Sequence, residues 1–452
     1  MATVRFAPSP TGLLHVGNAR TALYNWFRTV RTDARFVLRL DDTDAARSTP
    51  AFAEAIVTDL RWLGIEPTTT VRQSDRSTLY EEAADRLVEA GLLYPCYETP
   101  DELERQRKRL LARGKPPIYD RTGLRLSAAE REEYEADGRQ PHWRFLLPNH
   151  GGDPFAPRET RIEWDDLMRG PQSVDIGSMS DPVLRRGDGS WLYTLPSIVD
   201  DIDLGISEVI RGADHVTNTA AQVAIFRALG AGVPAFGHHN LLMDPSGEGL
   251  SKRKGSFSLR GLREQGYEAL AVAAMAAMAG TSRPPDVHAA LNELARTFDP
   301  SIVGRSDARF DMAELDGLNE RYLHAMDYAT ARPRLAAVDA DLGEAFWTVV
   351  RANLRRFEDV GEWAAIVRGP VTPDIADADT DYLRQAADLL PPAPWTPAVW
   401  SQWTGMLKKR SGRKGGALFM PLRKALTGRR DGPDMADLLP LIGREETIRR
   451  LP

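Results

Sequence analysis

The stretch VRFAPSPTGLLHVGN, residues 4–18, decides how the beginning of the chain folds. Residues 4–7 form a short candidate strand, and the prolines and glycine of residues 8–12 forbid regular structure directly after it. Apolar residues then recur at helical spacing over residues 19–30, which predicts an amphipathic helix. The chain therefore begins with a strand and a tight turn, followed by a helix that starts near His15.

This alternation continues outward from the first stretch. Residues 35–40 (RFVLRL) predict a second strand, and Thr49 with Pro50 is a plausible N-cap and first turn for a helix that stops at Gly64. Strand, helix, strand and helix in succession predict a parallel sheet with crossover helices. After about residue 77 the pattern changes to charged helical stretches with Gly- and Pro-rich breaks, which indicates an insertion with its own small core.

The strand-and-helix rhythm resumes after the insertion. We expect a strand at residues 206–210, a helix at 218–229 and another strand of the same sheet at 236–243. From about residue 259 the pattern is mainly helical to the end. The sequence thus divides into the two halves of a core (1–76 and 191–258), an insertion (77–190) and two helical regions (259–325 and 326–452).

Composition sets broad limits on function. The 452 residues correspond to roughly three domains. The 58 basic and 64 acidic residues give a net charge of −6, which excludes a histone-like protein but permits a local basic face. Cys96 is the single cysteine, so an intrachain disulfide and a Cys-rich zinc site are excluded and a reducing compartment is expected.

The apolar segments do not predict a membrane protein. The longest apolar run, residues 269–279, is shorter than the ~20 residues that span a bilayer and predicts a buried helix. The first residues lack the basic-then-apolar pattern of an export signal. We therefore expect a soluble, cytoplasmic protein.

Two motifs carry chemistry. In HVGN, residues 15–18, Gly17 permits close approach to the backbone and His15 can donate to a phosphate oxygen at a helix N-terminus. GLSKRKG, residues 249–255, is a cationic loop after a predicted strand, where positive charge can stabilise developing phosphoryl charge. Taken alone, the first motif also fits a capping histidine and the second a solvated surface loop.

The two motifs together resemble the class I aminoacyl-tRNA synthetases, with HIGH matched by residues 15–18 and KMSKS by residues 249–253. More narrowly, the whole chain resembles the bacterial glutamyl-tRNA synthetases. This narrower resemblance is carried by RFAPSPTG (5–12), RLDDTD (39–44), VDD (199–201), VIRG (209–212) and LFMPLR (418–423). The resemblance implies a Rossmann-type α/β catalytic core, an inserted α+β domain that binds the acceptor end, a stem-contact region at 259–325 and an all-α anticodon-binding domain.

The resemblance also implies a reaction. An enzyme of this family joins L-glutamate to the 3′ end of tRNA(Glu): the α-carboxylate attacks the α-phosphorus of ATP, and a ribose hydroxyl of the tRNA then attacks the glutamyl-adenylate. No protein nucleophile is needed, so catalysis rests on positioning and electrostatics, and Mg²⁺ accompanies ATP. The family further implies that tRNA must be bound before activation is efficient.

The charges of the substrates indicate which residue types should hold them. A guanidinium pairs with a carboxylate as a planar fork, so the glutamate pocket should contain arginines. The residues that the resemblance assigns to glutamate are Arg5 and Arg211 for the carboxylates, Tyr193 for a hydroxyl contact, Ser9 and Asp41 for the ammonium, and Ala7 for a backbone contact. Those that it assigns to ATP are Gly17, Asp214, His215, Leu242, Ser251, Arg253 and the two catalytic residues, His15 and Lys252.

Three positions depart from the family pattern. Asp41 stands where a glutamate is usual, which shortens its reach by one methylene, and Ala213 replaces an acidic residue near the ATP site. Some relatives carry a zinc cluster in the insertion, but here Glu98 follows Cys96 where a second cysteine would stand. Because zinc needs about four ligands, we expect no metal site and a small buried Cys96.

A basic segment near the C-terminus suits contact with tRNA phosphates and stacking on splayed bases. Trp403 and Phe419 are the aromatic residues near it, and a solvated helix end is the alternative interpretation. The basic residues are Lys408, Lys409, Arg410, Arg413 and Lys414.

Other functions fit part of the pattern. A glutaminyl-tRNA synthetase shares the core but is expected to end in β-barrels, and a small-molecule adenylyltransferase would not need the long helical tail. Intact His15 and Lys252 argue against a non-catalytic RNA-binding paralogue. Whether tRNA(Gln) is charged as well as tRNA(Glu) stays open, and the family implies a monomer.

Overall fold

The computed structural model describes residues 2–250 and 257–452. The chain forms two compact units, one made of Met1–Glu264 with Val272–Asp311 and the other of Gln265–Ala271 with Met312–Pro452. Within the described ranges, no helix combines the length and the apolar character that crossing a bilayer requires. The motif residues Ser251, Lys252 and Arg253 lie outside these ranges.

The first unit contains the described strands and about half of the helices. Its strands are β1 (Thr3–Phe6), β2 (Arg35–Leu40), β3 (Thr69–Arg72), β4 (Leu93–Cys96), β5 (His142–Phe145), β6 (Arg161–Asp166), β7 (Gly170–Asp175), β8 (Val183–Arg185), β9 (Glu208–Gly212), β10 (Ala235–His239), β11 (Leu242–Met243) and β12 (Ala308–Arg309). Its helices are α1 (Val16–Thr32), α2 (Pro50–Trp62), α3 (Ser77–Glu89), α4 (Pro100–Ala112), α5 (Ala128–Ala136), α6 (Thr194–Asp203), α7 (Val216–Ala228), α8 (Leu259–Glu264), most of α9 (Ala269–Met278), and α10 (Leu291–Thr297).

A parallel sheet in the order β10-β9-β1-β2-β3 forms the centre of this unit and confirms the predicted alternation of strands and helices. The predicted start of α2 is also confirmed, because the Thr49 hydroxyl accepts a hydrogen bond from the Phe52 amide at 3.2 Å and Pro50 begins the helix. The strand expected at residues 206–210 runs from Glu208 to Gly212, because that is the length of its ladder with β10. The carboxyl ends of β1, β2 and β9 meet at one edge, where ligands bind in such sheets.

The insertion is a mixture of strands and helices, as predicted. Strands β4, β5 and β8 form an antiparallel sheet, and β6 and β7 form a separate antiparallel hairpin. This hairpin packs against β10, since the Leu167 amide donates to the Phe236 carbonyl at 2.8 Å. The insertion therefore has its own sheet but also contacts the central sheet directly.

The single strand expected at residues 236–243 is wrong. Strand β10 ends at His239, and β11 leaves the central sheet to pair with β12. Asn240 lies between them and is buried: its Oδ1 accepts from Arg20 at 2.6 Å and its Nδ2 donates to the Ser306 carbonyl at 2.9 Å. These side-chain bonds turn the chain away, so the predicted cationic loop follows the two-stranded sheet and not a strand of the central sheet.

The second unit is helical throughout its described elements, which confirms the predicted all-α C-terminal domain. Trp347 and Trp403 are the largest side chains fully buried in its core. The Trp403 indole also donates to the Ala386 carbonyl at 2.9 Å, so the expectation that Trp403 offers a free stacking face is wrong. The helices are α11 (Met312–Ala325), α12 (Tyr328–Ala337), α13 (Glu344–Val350), α14 (Val360–Arg368), α15 (Thr380–Asp388), α16 (Ala398–Ser411), α17 (Gly416–Thr427), α18 (Met435–Ile442) and α19 (Arg444–Arg450).

Candidate active site

A cavity of about 530 Å³ lies at the carboxyl edge of the central sheet. It brings together all the residues predicted to bind glutamate and all the predicted ATP residues that the structure describes. These residues are Arg5, Ala7, Ser9, His15, Gly17, Asp41, Tyr193, Arg211, Asp214, His215 and Leu242. Arg5 and Arg211, which are 206 positions apart in the sequence, thus share one site because the strands that carry them end at one edge of the sheet.

Arg211, near the end of β9, is a buried guanidinium held by neutral groups. Its Nη2 donates to Thr219 Oγ1 and Gln222 Oε1, both at 2.7 Å, and its Nε donates to His238 Nε2 at 3.2 Å. Among the described residues no carboxylate lies within ion-pairing distance of Arg211, although its side chain is buried. Burial, reinforced by the nearby charge of Arg5, lowers the pKa of Arg211 to about 10.

This arrangement leaves one nitrogen of Arg211 for a ligand. Nη2 and Nε are already engaged, and no acceptor in the described part of the chain meets Nη1. A fork needs two nitrogens, so Nη1 is the nitrogen open to a carboxylate among the described contacts, and the grip of Arg211 on a substrate carboxylate stays a prediction. A positive charge without a protein counter-ion, facing a cavity, is nevertheless a strong anion-binding group.

Arg5, near the end of β1, differs from Arg211 because it has a counter-ion. Its Nε donates to both carboxylate oxygens of Asp201, at 3.2 and 3.4 Å, while the residue lines the cavity. Asp201 also accepts from Arg39 Nη1 at 2.7 Å, so one buried carboxylate orients two arginines. Arg5 is thereby fixed in position with its terminal nitrogens still available for a ligand.

Asp41 lines the cavity but is already paired. Arg39 donates to it through Nε at 2.7 Å and through Nη2 at 3.2 Å. Burial raises the pKa of Asp41, and the neighbouring Arg39 opposes that rise. Each carboxylate oxygen retains a further lone pair, so a ligand ammonium would share Asp41 with Arg39.

Sequence reasoning missed several residues that line the cavity. The hydroxyl of Ser197 accepts from Arg39 Nη2 at 2.9 Å. Ser197 follows Tyr193 by four residues, and this helical spacing could have identified it from the sequence, because residues four apart share one face of a helix. Arg39 was visible in the RLDDTD motif, whereas His239 at the end of β10 had no sequence signal.

His15 is the N-cap of α1. Its Nδ1 accepts from the amides of Gly17 and Asn18 at 3.1 and 3.4 Å, and Asn18 Oδ1 accepts from the His15 amide at 3.0 Å. The expectation of free amides at this helix start is therefore only partly right, because the imidazole occupies two of them. Burial lowers the pKa of His15, so a neutral ring presents an Nε2–H donor. A Cβ at Gly17 would lie 2.9 Å from His15 Cε1, which explains the glycine.

Two aromatic side chains meet above Arg211. The Tyr193 hydroxyl lies 3.4 Å from His215 Nδ1, and the two rings meet edge to face with centroids 5.9 Å apart. Burial, together with the charge of Arg211, lowers the pKa of His215 to about 4, so the ring is neutral at pH 7. Asp214 and Leu242 line the same cavity, and the Asp214 carboxylate lies 3.7 Å from His215 Nε2.

The insertion contains a group of three metal-type donors. A ligand atom from each of Cys96, Glu98 and His142 lies within 4.8 Å of the others. Tyr119 donates to Glu98 at 2.7 Å and contacts the Cys96 sulfur at 3.4 Å, and burial raises the pKa of the thiol to about 12. Three donors, one of them a carboxylate, do not match the four-ligand thiolate and imidazole chemistry of structural zinc. The expected absence of zinc stays a prediction.

The predicted tRNA-binding residues lie at the C-terminal end of α16 and just beyond it. Lys408, Lys409, Arg410 and Lys414 are exposed, while Arg413 is paired with Asp379 at 2.6 Å and lies over the Tyr382 ring. Of the two aromatic neighbours, only Phe419 is exposed, by 43%. Four exposed cations and one exposed aromatic ring therefore lie at this end of α16.

Comparison with known proteins agrees with this architecture. Residues 1–317 match the family of class I tRNA synthetases for E and Q, catalytic domain, and residues 319–452 match an anticodon-binding domain. The chain thus has the architecture of a class I tRNA synthetase: a parallel α/β sheet with a cavity at its carboxyl edge, followed by a helical C-terminal unit.

Individual relatives narrow this class. A glutamate–tRNA ligase 1 of Chelativorans sp. (strain BNC1) is 55% identical over 453 residues, covering 100% of this chain and 99% of its own. That of Brucella canis is 54% identical, with the same coverage. The crystal structure of a glutamate tRNA ligase from Elizabethkingia meningosepticum, in complex with its amino acid, has a TM-score of 0.83 at 27% identity, covering 99% of this chain and 98% of that one. The chain belongs to the glutamate–tRNA ligase family.

Proposed function

We propose that this chain activates L-glutamate with ATP and transfers the glutamyl group to the 3′ end of tRNA(Glu). The observation that carries the proposal is Arg211, a buried guanidinium that faces the cavity and has no carboxylate partner among the described residues. An acidic substrate would supply the missing charge, whereas the uncharged amide of glutamine would not.

In this proposal the cavity divides the substrate by charge. Nη1 of Arg211 and the terminal nitrogens of Arg5 hold the carboxylates, with a hydroxyl contact from Tyr193. Asp41 and Ser9 hold the ammonium, and Ala7 contributes backbone. His215, beside Tyr193 and 3.7 Å from Asp214, lies where the two parts of the cavity meet and does not attract the carboxylate, because it carries no charge at pH 7.

The rest of the cavity would receive ATP. The Nε2–H of His15 donates to a phosphate oxygen, and Gly17, which has no side chain, permits close approach to the helix start. Asp214, His215 and Leu242 border the ribose and adenine, and Mg²⁺ arrives with the nucleotide. Lys252, with Ser251 and Arg253, is proposed from the sequence to neutralise the departing pyrophosphate.

The reaction then proceeds without a protein nucleophile. The α-carboxylate attacks the α-phosphorus, pyrophosphate leaves, and the 2′-hydroxyl of the terminal adenosine attacks the mixed anhydride, releasing AMP. The protein contributes by holding the attacking oxygen near phosphorus and by stabilising negative charge as it moves onto the leaving group.

The tRNA is proposed to extend from the acceptor-binding insertion (77–190) past residues 259–325 to the helical region 326–452. Lys408, Lys409, Arg410 and Lys414 supply phosphate contacts and Phe419 supplies a stacking face. Arg413 is proposed here only in a supporting part, since Asp379 already holds it. We also propose that the protein is a cytoplasmic monomer. The single cysteine in 452 residues supports the cytoplasmic location, because it fits a reducing compartment.

ATP–pyrophosphate exchange tests this function. The purified chain is assayed with glutamate, glutamine and aspartate, each with and without tRNA(Glu), and then for charging of tRNA(Glu) and tRNA(Gln) side by side. We expect exchange that needs glutamate and is strongly stimulated by tRNA. Exchange supported by glutamine but not glutamate, or by neither amino acid, would overturn the proposal.

A further inference from the structure

A buried pair of hydrogen-bonded side chains, His238 and Asp166, contacts Arg211 from outside the cavity lining. His238 on β10 places Nδ1 2.5 Å from Asp166 Oδ2, at the end of β6, and both side chains are fully buried. The other ring nitrogen of His238 accepts the Nε–H of Arg211 at 3.2 Å. A continuous chain of hydrogen bonds therefore runs from the hairpin of the insertion through His238 to the substrate-facing arginine.

The pair fixes which ring nitrogen of His238 carries its proton. Burial would raise the pKa of Asp166, but hydrogen bonds from His238 outweigh it and lower that pKa to about 2, so the carboxylate can only accept. The proton must then sit on Nδ1. Burial also lowers the pKa of His238, which keeps the ring neutral and leaves Nε2 as an acceptor.

Arg211 is consequently oriented without being neutralised. Three neutral acceptors, on His238, Thr219 and Gln222, hold three of its N–H groups. A carboxylate in direct contact would hold the guanidinium equally well, but the ion pair would neutralise its charge. The imidazole of His238 lies between Asp166 and Arg211. Asp166 therefore orients Arg211 through the hydrogen bonds of His238 without contacting the guanidinium itself.

We propose that Asp166 and His238 are positioning residues that aim Arg211 at a carboxylate of the substrate and keep its charge available for that carboxylate. The inference rests on the proposed role of Arg211 in binding glutamate. It also assigns a task to the hairpin of β6 and β7, because Asp166 Oδ1 accepts from the amides of Met168 and Arg169, at 3.1 and 3.0 Å, as well as from the His238 amide.

Asp166→Asn tests the pair. The amide oxygen can still accept the backbone bonds, but its NH₂ now faces His238 Nδ1 and favours the other tautomer, whose Nε2–H opposes the Nε–H of Arg211. We expect the KM for glutamate in tRNA-stimulated exchange to rise about tenfold or more, with kcat and the KM for ATP within about twofold of wild type. Asp165→Asn, an exposed carboxylate on the same strand, is the matched control and should behave as wild type.

His238→Gln provides the decisive second variant. A glutamine oxygen can accept from Arg211 whatever stands at position 166, so Asp166→Asn should change the KM for glutamate by less than about twofold in that background. Three results would overturn the inference. They are an unchanged KM for glutamate in Asp166→Asn, an equal effect of Asp166→Asn in the wild-type and His238→Gln backgrounds, and a rise in the KM for ATP that matches the rise for glutamate. If instead Arg211→Ala leaves the KM for glutamate unchanged, the proposed carboxylate site fails, independently of the pair behind it.

Discussion

Replacing Arg211 by alanine removes the one buried cation of the cavity that has no partner carboxylate among the described residues. Its Nη1 can donate two charge-assisted hydrogen bonds, each with a strength of about 1.5–3 kcal/mol. Loss of both corresponds to about 3–6 kcal/mol, or a factor of about 10²–10⁴ in affinity. Since Thr219 and Gln222 can bond to water in the variant, we expect the effect to fall on binding and not on folding.

Any effect of tRNA on glutamate binding is kept constant by saturating the exchange assay with tRNA(Glu) and ATP and varying glutamate alone. The KM for glutamate should rise about 10²-fold or more in Arg211→Ala, and less steeply in Arg211→Lys, which retains a charge but not the planar geometry. Arg227→Ala, an exposed arginine on the same helix as Thr219 and Gln222, is the control. A rise below about threefold in Arg211→Ala would refute the reasoning, because two charged hydrogen bonds cannot be lost so cheaply.

Three further predictions follow from the sequence and the structure. Lys252→Ala should lower the single-turnover rate of adenylate formation far more than tRNA affinity, and equal losses of both would mean that the loop only contacts RNA. After incubation with zinc and dialysis, elemental analysis should find less than about 0.2 zinc per chain, because Cys96, Glu98 and His142 supply only three donors where structural zinc takes four; about one per chain would contradict this. Burial raises the pKa of Asp59 to about 6, above its unfolded value. Ionisation of Asp59 therefore lowers the free energy of unfolding, and this destabilisation disappears as the pH falls below 6. Chemical denaturation of Asp59→Asn should therefore show about 1 kcal/mol less loss of stability between pH 5 and pH 8 than wild type, and an equal loss would contradict it.

Much of the fold could be predicted because it depends on local patterns. Periodicity and capping residues gave β2 and the start of α2, where Thr49 and Pro50 act within one turn. The strand at 236–243 could not be predicted correctly, because its break at Asn240 depends on hydrogen bonds to Arg20 and Ser306, which are distant in sequence.

The candidate site shows the same division. Its members could be predicted because Arg5 and Arg211 sit near strand ends that a parallel sheet brings to one edge. The hydrogen bonds that hold these arginines in place could not be predicted. The neutral setting of Arg211 depends on His238 and, through it, on Asp166, which is 72 positions away from His238 in the sequence and belongs to the β6–β7 hairpin of the insertion. Likewise, nothing in the periodicity around Trp403 separates a buried indole from an exposed one.

The hairpin of β6 and β7 limits how this enzyme could be shortened. Its position in the middle of an insertion suggests a removable accessory, yet Leu167 and Asp166 bond directly to β10. A truncated protein that joins residue 76 to residue 191 would expose the edge of the central sheet and leave His238 without its anchor. A miniaturised catalytic unit must therefore keep residues 161–175, and grafting this region from a relative would require exchanging β10 with it.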